Sequence, residues 1–214
     1  MTASSTADQL ARLKELGAAT VHEAQGGTGA LDSAVKPLHP AMAVAGPALT
    51  VDCKPADNLA IQHAVTLARP GDVLVVDAKA FLEAGPWGDI LTLYAQQVGI
   101  TGLVIDGSVR DSQAIVDMGF PVFCRGICIK GTGKNQPGKV NETIICGGVT
   151  INPGDVVVGD ADGVVVVRRR MGHRAIRSPR AEGSPLPNRF AGRAKPGRAH
   201  EPRSQTHRTR LPLT

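Results

Sequence analysis

Two periodicities of apolar residues alternate along residues 6–124, and they predict a series of strands and helices. Continuous apolar runs at 73–76 and 103–105 are typical of buried strands. Between such runs, apolar residues recur at helical spacing and Gly or Pro follows them. The predicted helices cover 6–16, 57–69, 88–98 and 111–118, and the predicted strands cover 44–53, 72–77, 102–105 and 121–124. Strands that alternate with helices favour parallel β/α/β construction in an α/β fold.

The pattern changes after residue 128. Residues 131–139 form a polar, Gly-rich loop, and beyond it apolar runs predict strands at 140–151, 155–159 and 163–167. Pro153-Gly154 and the segment 160–163 supply the turns between them. We therefore expect a mostly β C-terminal half.

Charge is distributed unevenly. The chain carries a formal net charge of +5, but residues 169–214 hold eleven Arg and one Lys against two Glu, so that segment carries +10 and the rest carries −5. Its six Pro and few apolar residues cannot offset its ordering entropy. We interpret residues 1–168 as the folded domain and 169–214 as an Arg/Pro-rich, disordered tail. The overall basic character is then a poor argument for nucleic-acid binding by the domain.

Several features favour a cytoplasmic protein. No apolar run approaches the ~18–20 residues of a membrane span, and the first residues lack the basic and apolar regions of a signal peptide. The four cysteines lack zinc-site spacing and lie in apolar, strand-like settings. Unpaired cysteines fit a reducing compartment.

Arg110 and Asp111 are the strongest candidates for a functional site. They follow the predicted strand at 102–105, which we expect to break at Asp106-Gly107, and ligands of open α/β sheets bind at the carboxyl ends of strands. A guanidinium group binds a carboxylate with two parallel bonds, and a carboxylate is a hard ligand for a divalent cation. The alternative is that Asp111 only caps the next helix.

A second candidate is the start of the helix at residue 88. Backbone N–H groups at a helix N-terminus bind anions, and Gly88 would let a ligand approach the backbone. Asp89 adds a carboxylate. Taken alone, Gly-Asp is an ordinary helix start; together with Arg110 and Asp111 it predicts a carboxylate clamp beside a metal site.

Three weaker candidates are set aside. His22-Glu23 lacks the second His of a metalloprotease motif. The Gly-Thr-Gly-Lys stretch at 131–134 lacks the other residues of a phosphate-binding loop. Lys79 has the chemistry for a Schiff base, but a solvated lysine is the simpler interpretation.

Five segments together resemble one family throughout residues 16–168. They lie at 71–77, 87–91, 104–111, 119–123 and 152–164. The resemblance is to the 4-hydroxy-4-methyl-2-oxoglutarate and 4-carboxy-4-hydroxy-2-oxoadipate aldolases, a group that includes the regulator of ribonuclease E activity A. It implies an aldolase-like α/β domain built as a layered α-β-β-α sandwich, and a homotrimer or homohexamer with active sites between subunits.

The resemblance also implies residue roles. Asp111 would hold a divalent cation, Mg²⁺ or Mn²⁺, and Arg110 would bind the α-keto acid substrate and act in catalysis. The backbone of Gly88, Asp89, Ile90 and Leu91 would also bind the substrate, and Asp89 would act through a water near the metal. The implied reactions are aldol cleavage of 4-hydroxy-2-oxo acids to pyruvate and oxaloacetate decarboxylation. From the lack of an apolar span and the negative charge of residues 1–168 we expect neither a membrane nor a nucleic-acid partner, and nucleic-acid binding through the basic tail is a further alternative.

One difference from the aldolases keeps two alternatives open. The aldolases continue into helices after the last strand, and an acidic residue of that segment approaches a neighbouring subunit's metal site. Here the Arg/Pro-rich segment stands in that place, and neither Glu182 nor Glu201 aligns with that acidic residue. The alternatives are a non-catalytic protein that regulates a ribonuclease and an inactive relative that lacks the C-terminal helices.

Overall fold

The computed structural model describes residues 3–168 of the 214-residue chain, with side chains from residue 7. The predicted tail at 169–214 lies outside the described residues. The helices are α1 (Ala3–Ala24), α2 (Leu59–Leu67), α3 (Asp89–Val98) and α4 (Ser112–Asp117). The strands are β1 (Lys36–Pro37), β2 (Val44–Asp52), β3 (Val73–Phe81), β4 (Gly102–Val109), β5 (Val122–Cys124), β6 (Gly126–Ile127), β7 (Lys139–Val140), β8 (Ile144–Cys146), β9 (Val149–Ile151), β10 (Val156–Asp160) and β11 (Gly163–Val167).

A mixed, nearly closed sheet organises the fold. Its main path runs β1-β5-β4-β3-β2-β10-β11, with β6 paired to β4 and β7 paired to β2. The strands β2, β3, β4 and β5 are parallel, as the alternation of strands and helices predicted. The strands β10 and β11 extend the sheet in antiparallel fashion, and β8 and β9 form a separate hairpin.

Three apolar clusters lie between four layers. The first joins α2, α3 and α4 to the parallel strands and includes Ile61, Ile115 and Leu103. The second fills the space between the other face of these strands and β8 to β11, and it includes Val75 and Ile151. The third joins α1 to β10 and β11. The layered α-β-β-α arrangement is therefore confirmed, with a mostly β C-terminal half.

The prediction that the first helix ends at Gly17 is only partly correct. Gly17 has non-helical dihedrals (φ 77°, ψ 160°), but a second helical segment follows it within α1. The N–H of Ala18 donates to Oδ2 of Asp160 at 2.7 Å, so a residue 142 positions away caps the second segment. Sequence periodicity does not reveal such a distant cap.

The predicted strand break at Asp106-Gly107 is wrong, because β4 continues to Val109 and all of its residues are buried. Gly107 pairs with Phe81 where β3 shifts register, and a Cβ at position 107 would lie 2.9 Å from the Cβ of Ala78. Ser108 then pairs with β6. Gly107 therefore serves a close approach between strands rather than a turn, and Arg110 follows a longer strand than predicted.

The segment 140–151 is three strands rather than the single strand predicted. It contains the end of β7, then β8 and β9, with Gly147 and Gly148 at positive φ in the turn between the last two. Within the described residues, none of the helices is long and apolar enough to cross a membrane.

Candidate active site

Arg110 and Asp111 lie together immediately after β4. The N–H of Arg110 donates to the carbonyl of Trp87 at 2.9 Å, which joins this strand end to the segment before α3. Asp111 has left-handed dihedrals (φ 54°, ψ 37°), a conformation that Asp tolerates better than most residues. Its Oδ2 lies 3.3 Å from Nε of Arg110 and 3.3 Å from the backbone nitrogen of Asp89.

The side chain of Asp111 does not cap α4. Its backbone occupies the N-cap position of α4, but its carboxylate makes no capping bond there and is directed to Arg110 and the start of α3 instead. The side chains of Arg110 and Asp111 are 41% and 38% exposed, so both can reach a ligand. The capping alternative therefore does not account for this carboxylate.

The segment before α3 is held rigidly by buried contacts. Trp87 is fully buried, stacks on Phe120 with ring centroids 6.1 Å apart, and donates from Nε1 to Oγ1 of Thr92 at 2.7 Å. The hydroxyl of Thr92 donates to the carbonyl of Gly88 at 2.9 Å. Asn58 of the segment before α2 donates from Nδ2 to the carbonyl of Pro86 at 3.1 Å. These contacts fix the backbone that faces Arg110 and Asp111.

A glycine is required at position 88 because a side chain would not fit there, and not because of the backbone conformation. Its dihedrals (φ −153°, ψ −165°) are extended and suit any residue. A Cβ at this position would overlap Oδ2 of Asp111 and lie 3.0 Å from Nε of Arg110. The bare backbone at Gly88 thus lets α3 begin directly against the two charged side chains.

Asp89 and Ile90 complete the start of α3. Oδ1 of Asp89 accepts from the N–H of Ile90 at 2.7 Å, and the Asp89 side chain is half-buried. Ile90 is 73% exposed and Leu91 is half-buried. The structure therefore brings all the predicted site residues together: Gly88, Asp89, Ile90, Leu91, Arg110 and Asp111.

A cavity of about 400 Å³ adjoins this constellation. Arg110 and Gly88 line it together with α2 and α3. Sequence reasoning missed two of its polar residues, Asn58 and Lys134. Lys134 belongs to the stretch that was dismissed as an incomplete phosphate-binding loop, and only tertiary contacts bring that loop to the cavity.

The carboxylates present limit the kind of metal site. Residues 3–168 contain no group of three His, Cys, Asp or Glu side chains arranged to hold an ion. A structural zinc site made wholly of protein ligands is therefore absent from this part of the chain. Asp111, with Asp89 nearby, fits Mg²⁺ or a similar hard cation, which takes one or two carboxylates and completes its coordination with water and substrate oxygens.

Lys79 is unsuited to Schiff-base chemistry. Its Nζ lies 2.6 Å from Oδ1 of Asp52 and also pairs with Asp77. Burial lowers the pKa of Lys79, but the hydrogen bonds to the two carboxylates raise it by more, so its pKa lies above the usual value. A lysine held protonated in this way is a poor nucleophile.

Comparison with known proteins gives the family. The family model described as "RraA-like: Aldolase/RraA" matches residues 12–166, which is most of the chain. The chain belongs to the RraA-like family. A protein of Halalkalibacterium halodurans named "Putative 4-hydroxy-4-methyl-2-oxoglutarate aldolase" is 42% identical over 160 residues, which are 75% of this chain and 76% of that protein.

Solved structures of this family share the fold. The RraAS2 protein of Streptomyces coelicolor, described as an unusual member of the RNase ES inhibitor RraA family, has a TM-score of 0.69 at 28% identity, over 79% of this chain and 89% of that one. The RNA-processing inhibitor RraA of Thermus thermophilis has a TM-score of 0.60 at 25% identity, over 64% and 84%. The relatives of this RraA-like chain support an aldolase or an RraA-like function.

Proposed function

We propose that this protein is a divalent-metal-dependent (class II) aldolase that cleaves 4-hydroxy-2-oxo acids to pyruvate and a second oxo acid, and that also decarboxylates oxaloacetate. The observation that carries the proposal is the placement of the Arg110 guanidinium and the Asp111 carboxylate against the bare backbone of Gly88, beside a cavity. A pure binding surface does not require a cation ligand and an anion clamp at one point.

Substrate binding is assigned to Arg110 and to the start of α3. The guanidinium group of Arg110 binds the carboxylate of the α-keto acid, because its N–H groups match two carboxylate oxygens. The backbone of Gly88, Asp89, Ile90 and Leu91 forms the helix N-terminus, where N–H groups and the helix dipole favour an anion.

The metal is assigned to Asp111, with Asp89 acting through a bridging water. Mg²⁺ or Mn²⁺ suits these oxygen ligands. When bound, the cation supplies Lewis-acid polarisation of the keto group. The side chain of Asp111, which would hold the cation, is 38% exposed, so a substrate can approach it.

The protein side chains then control charge and proton movement. The C3–C4 bond breaks and its electron pair forms the enolate of pyruvate, whose negative charge Arg110 stabilises. Asp89 holds a water that accepts the proton of the C4 hydroxyl as that oxygen becomes a carbonyl, and a proton then adds to C3 of the enolate from the same water to give pyruvate. Loss of CO₂ from oxaloacetate yields the same enolate, so one site serves both reactions.

The assembly is assigned as a homotrimer or homohexamer. Apolar side chains near the cavity are exposed in the single chain, including Ile90 at 73% and Tyr94 at 54%, and a second copy would bury them. Light scattering coupled to size-exclusion chromatography measures the mass directly, and a monomer would contradict this part of the proposal.

We assign the protein to the cytoplasm, since its four cysteines are all unpaired, and we expect no nucleic-acid partner.

The deciding experiment measures pyruvate release from 4-carboxy-4-hydroxy-2-oxoadipate and from oxaloacetate, with Mg²⁺ or Mn²⁺ and with excess chelator. Chelator-sensitive release from both supports the proposal. No release from a folded, metal-supplemented protein would favour the second candidate, a non-catalytic regulator of a ribonuclease, which the structural similarity to RraA proteins supports. That candidate predicts inhibition of ribonuclease cleavage by the purified chain.

A further inference from the structure

The hydroxyl group of Thr92 lies in a short chain of buried hydrogen bonds behind the candidate site. It accepts from Nε1 of Trp87 at 2.7 Å and lies 2.9 Å from the carbonyl oxygen of Gly88. Both Trp87 and Thr92 are fully buried. Because an indole N–H can only donate, the single hydroxyl proton of Thr92 is left to donate to Gly88. The chain of bonds therefore has one direction, from Trp87 through Thr92 to Gly88.

The carbonyl of Gly88 is held by two bonds from the same residue. Besides the hydroxyl, the backbone N–H of Thr92 donates to it at 3.0 Å, which is the ordinary bond of the first turn of α3. Helix ends fray, so this backbone bond alone leaves the first peptide of α3 some freedom. The second bond, from a buried side chain, restricts the peptide between Gly88 and Asp89 further.

The peptide between Gly88 and Asp89 transmits this restriction to Asp111. It is trans, so its C=O and N–H groups point in opposite directions. The carbonyl is directed to Thr92, and the N–H of Asp89 is directed the other way, where Oδ2 of Asp111 accepts from it at 3.3 Å. The same oxygen lies 3.3 Å from Nε of Arg110. Two donors thus hold the Asp111 carboxylate through one oxygen, and the other oxygen can serve a cation.

We propose that Thr92 is a positioning residue for the cation site, because its hydroxyl keeps the N–H of Asp89 against the Asp111 carboxylate. The inference rests on the proposed function, in which Asp111 binds the cation. It adds a buried residue that acts through the peptide between Gly88 and Asp89. Loss of a group that orients a metal ligand typically weakens metal binding by about 10- to 100-fold.

A purely structural role for Thr92 makes a different prediction. In that role the hydroxyl only satisfies the buried indole N–H of Trp87, and its loss leaves that donor without a partner. Stability would then fall while the affinity for a divalent cation stayed the same. Metal affinity, and not stability, therefore distinguishes the two roles.

The test measures the Kd of Mn²⁺ by calorimetry without substrate. Thr92→Val removes the hydroxyl at similar size and should weaken Mn²⁺ binding about 10-fold. Thr92→Ser keeps the hydroxyl and should bind Mn²⁺ as the natural chain does. Thr50→Val is the matched control, since Thr50 of β2 is also fully buried and its hydroxyl donates to the carbonyl of Glu142 at 2.6 Å. That variant should lose stability in urea and keep its Mn²⁺ affinity.

The single tryptophan gives an independent measurement on the metal-free chain. Trp87 contributes the one indole N–H signal in NMR spectra, because the sequence contains no other tryptophan. The signal should shift in Thr92→Val and keep its position in Thr92→Ser. An unchanged signal in Thr92→Val would show that the indole does not bind this hydroxyl and would overturn the inference.

The Mn²⁺ titrations separate this inference from the proposed function. Weaker binding in Thr92→Val, restored in Thr92→Ser, supports the inference even if the chain releases no pyruvate. An unchanged Kd in Thr92→Val, or an equal loss in Thr50→Val, overturns the inference and leaves the aldolase proposal standing. A natural chain that binds no Mn²⁺ overturns both. Should Thr92→Val not fold, Thr92→Cys puts a weaker donor in the same place and should also weaken Mn²⁺ binding.

Discussion

The α-carbon of Gly88 faces the carboxylate of Asp111 so closely that a side chain at position 88 would overlap Oδ2 of Asp111. The relationship joins two segments that are far apart in sequence, the start of α3 and the end of β4. It is a sterically sensitive point of the candidate site, because the same added Cβ would also lie 3.0 Å from Nε of Arg110.

Replacement of Gly88 by Ala should lower the activity strongly while preserving the fold. The extended backbone of Gly88 accepts Ala, and the displaced atoms are the ends of flexible side chains. Misplacing Arg110 and Asp111 by about 1 Å should lower kcat/KM by ~100-fold, with a stability change below about 1 kcal/mol. Gly131→Ala is the control, since a Cβ there meets no atom within 4 Å. A fully active Gly88→Ala variant would show that the site lies elsewhere.

Conservative changes at Arg110 and Asp111 should separate substrate binding from metal binding. Arg110→Lys keeps the charge but loses the planar fork, so kcat/KM should fall by ~100-fold while Mn²⁺ affinity is retained. Asp111→Asn keeps a residue that tolerates left-handed dihedrals but removes the anionic ligand, so Mn²⁺ binding in calorimetry should be lost. Circular dichroism should match the natural chain for both. Turnover at the natural rate in either variant would contradict the assigned roles.

The stability of the loop at 133–136 should change with pH in the acid range, because the Asp57 carboxylate binds this loop. Burial raises the pKa of Asp57, but backbone N–H groups of Asn135, Leu59 and Gln136 lower it by more, so the folded-state pKa is below the usual value. The stabilisation is complete above the unfolded pKa of about 4 and is lost as pH falls through the lower folded-state value.

Asp57→Asn should therefore lower the free energy of unfolding by about 1–3 kcal/mol near neutral pH. The buried N–H groups that bond to the Asp57 carboxylate would then face the side-chain amide of Asn instead. Urea unfolding at pH 7, 5, 4 and 3 measures the difference in free energy of unfolding between Asp57→Asn and the natural chain. This difference should become smaller below about pH 4. The control is Asp117→Asn, at an exposed residue whose described side-chain bond is to Gln113. If the difference in free energy of unfolding stays constant with pH, the charge of the Asp57 carboxylate does not contribute to stability.

Thiol reactivity should distinguish one cysteine from the other three. Burial raises the pKa of Cys53 to about 12 and that of Cys124 to about 11, and it raises the pKa of Cys146 as well. Cys128 is half-buried. At pH 8 a disulfide reagent should titrate one thiol per folded chain and four in denaturant. Rapid reaction of all four thiols without denaturant would contradict the burial of these strands.

Much of the central architecture could be read from local pattern. The apolar runs of β3 and β4 and the helical spacing of α3 identify a β/α/β core, because burial on both faces of a parallel sheet demands continuous apolar strands. Element ends were harder to predict. Gly107 resembles a strand break in sequence, yet it allows the close approach of β3 and β4. Gly17 ends one helical segment, but a second segment follows it and is capped by Asp160.

The sequence by itself therefore determined the fold class, the order of the elements and the identity of the residues at the end of β4 and the start of α3, since each depends on local periodicity or on a contiguous motif. The tertiary structure decided what lies around them. In the folded chain the Asp111 carboxylate faces the start of α3 and not α4, and only Gly fits at position 88 beside it. Lys134 lies at the cavity on a loop that Asp57 binds. Those relationships depend on contacts between distant segments, and such contacts leave no periodic signal in the chain.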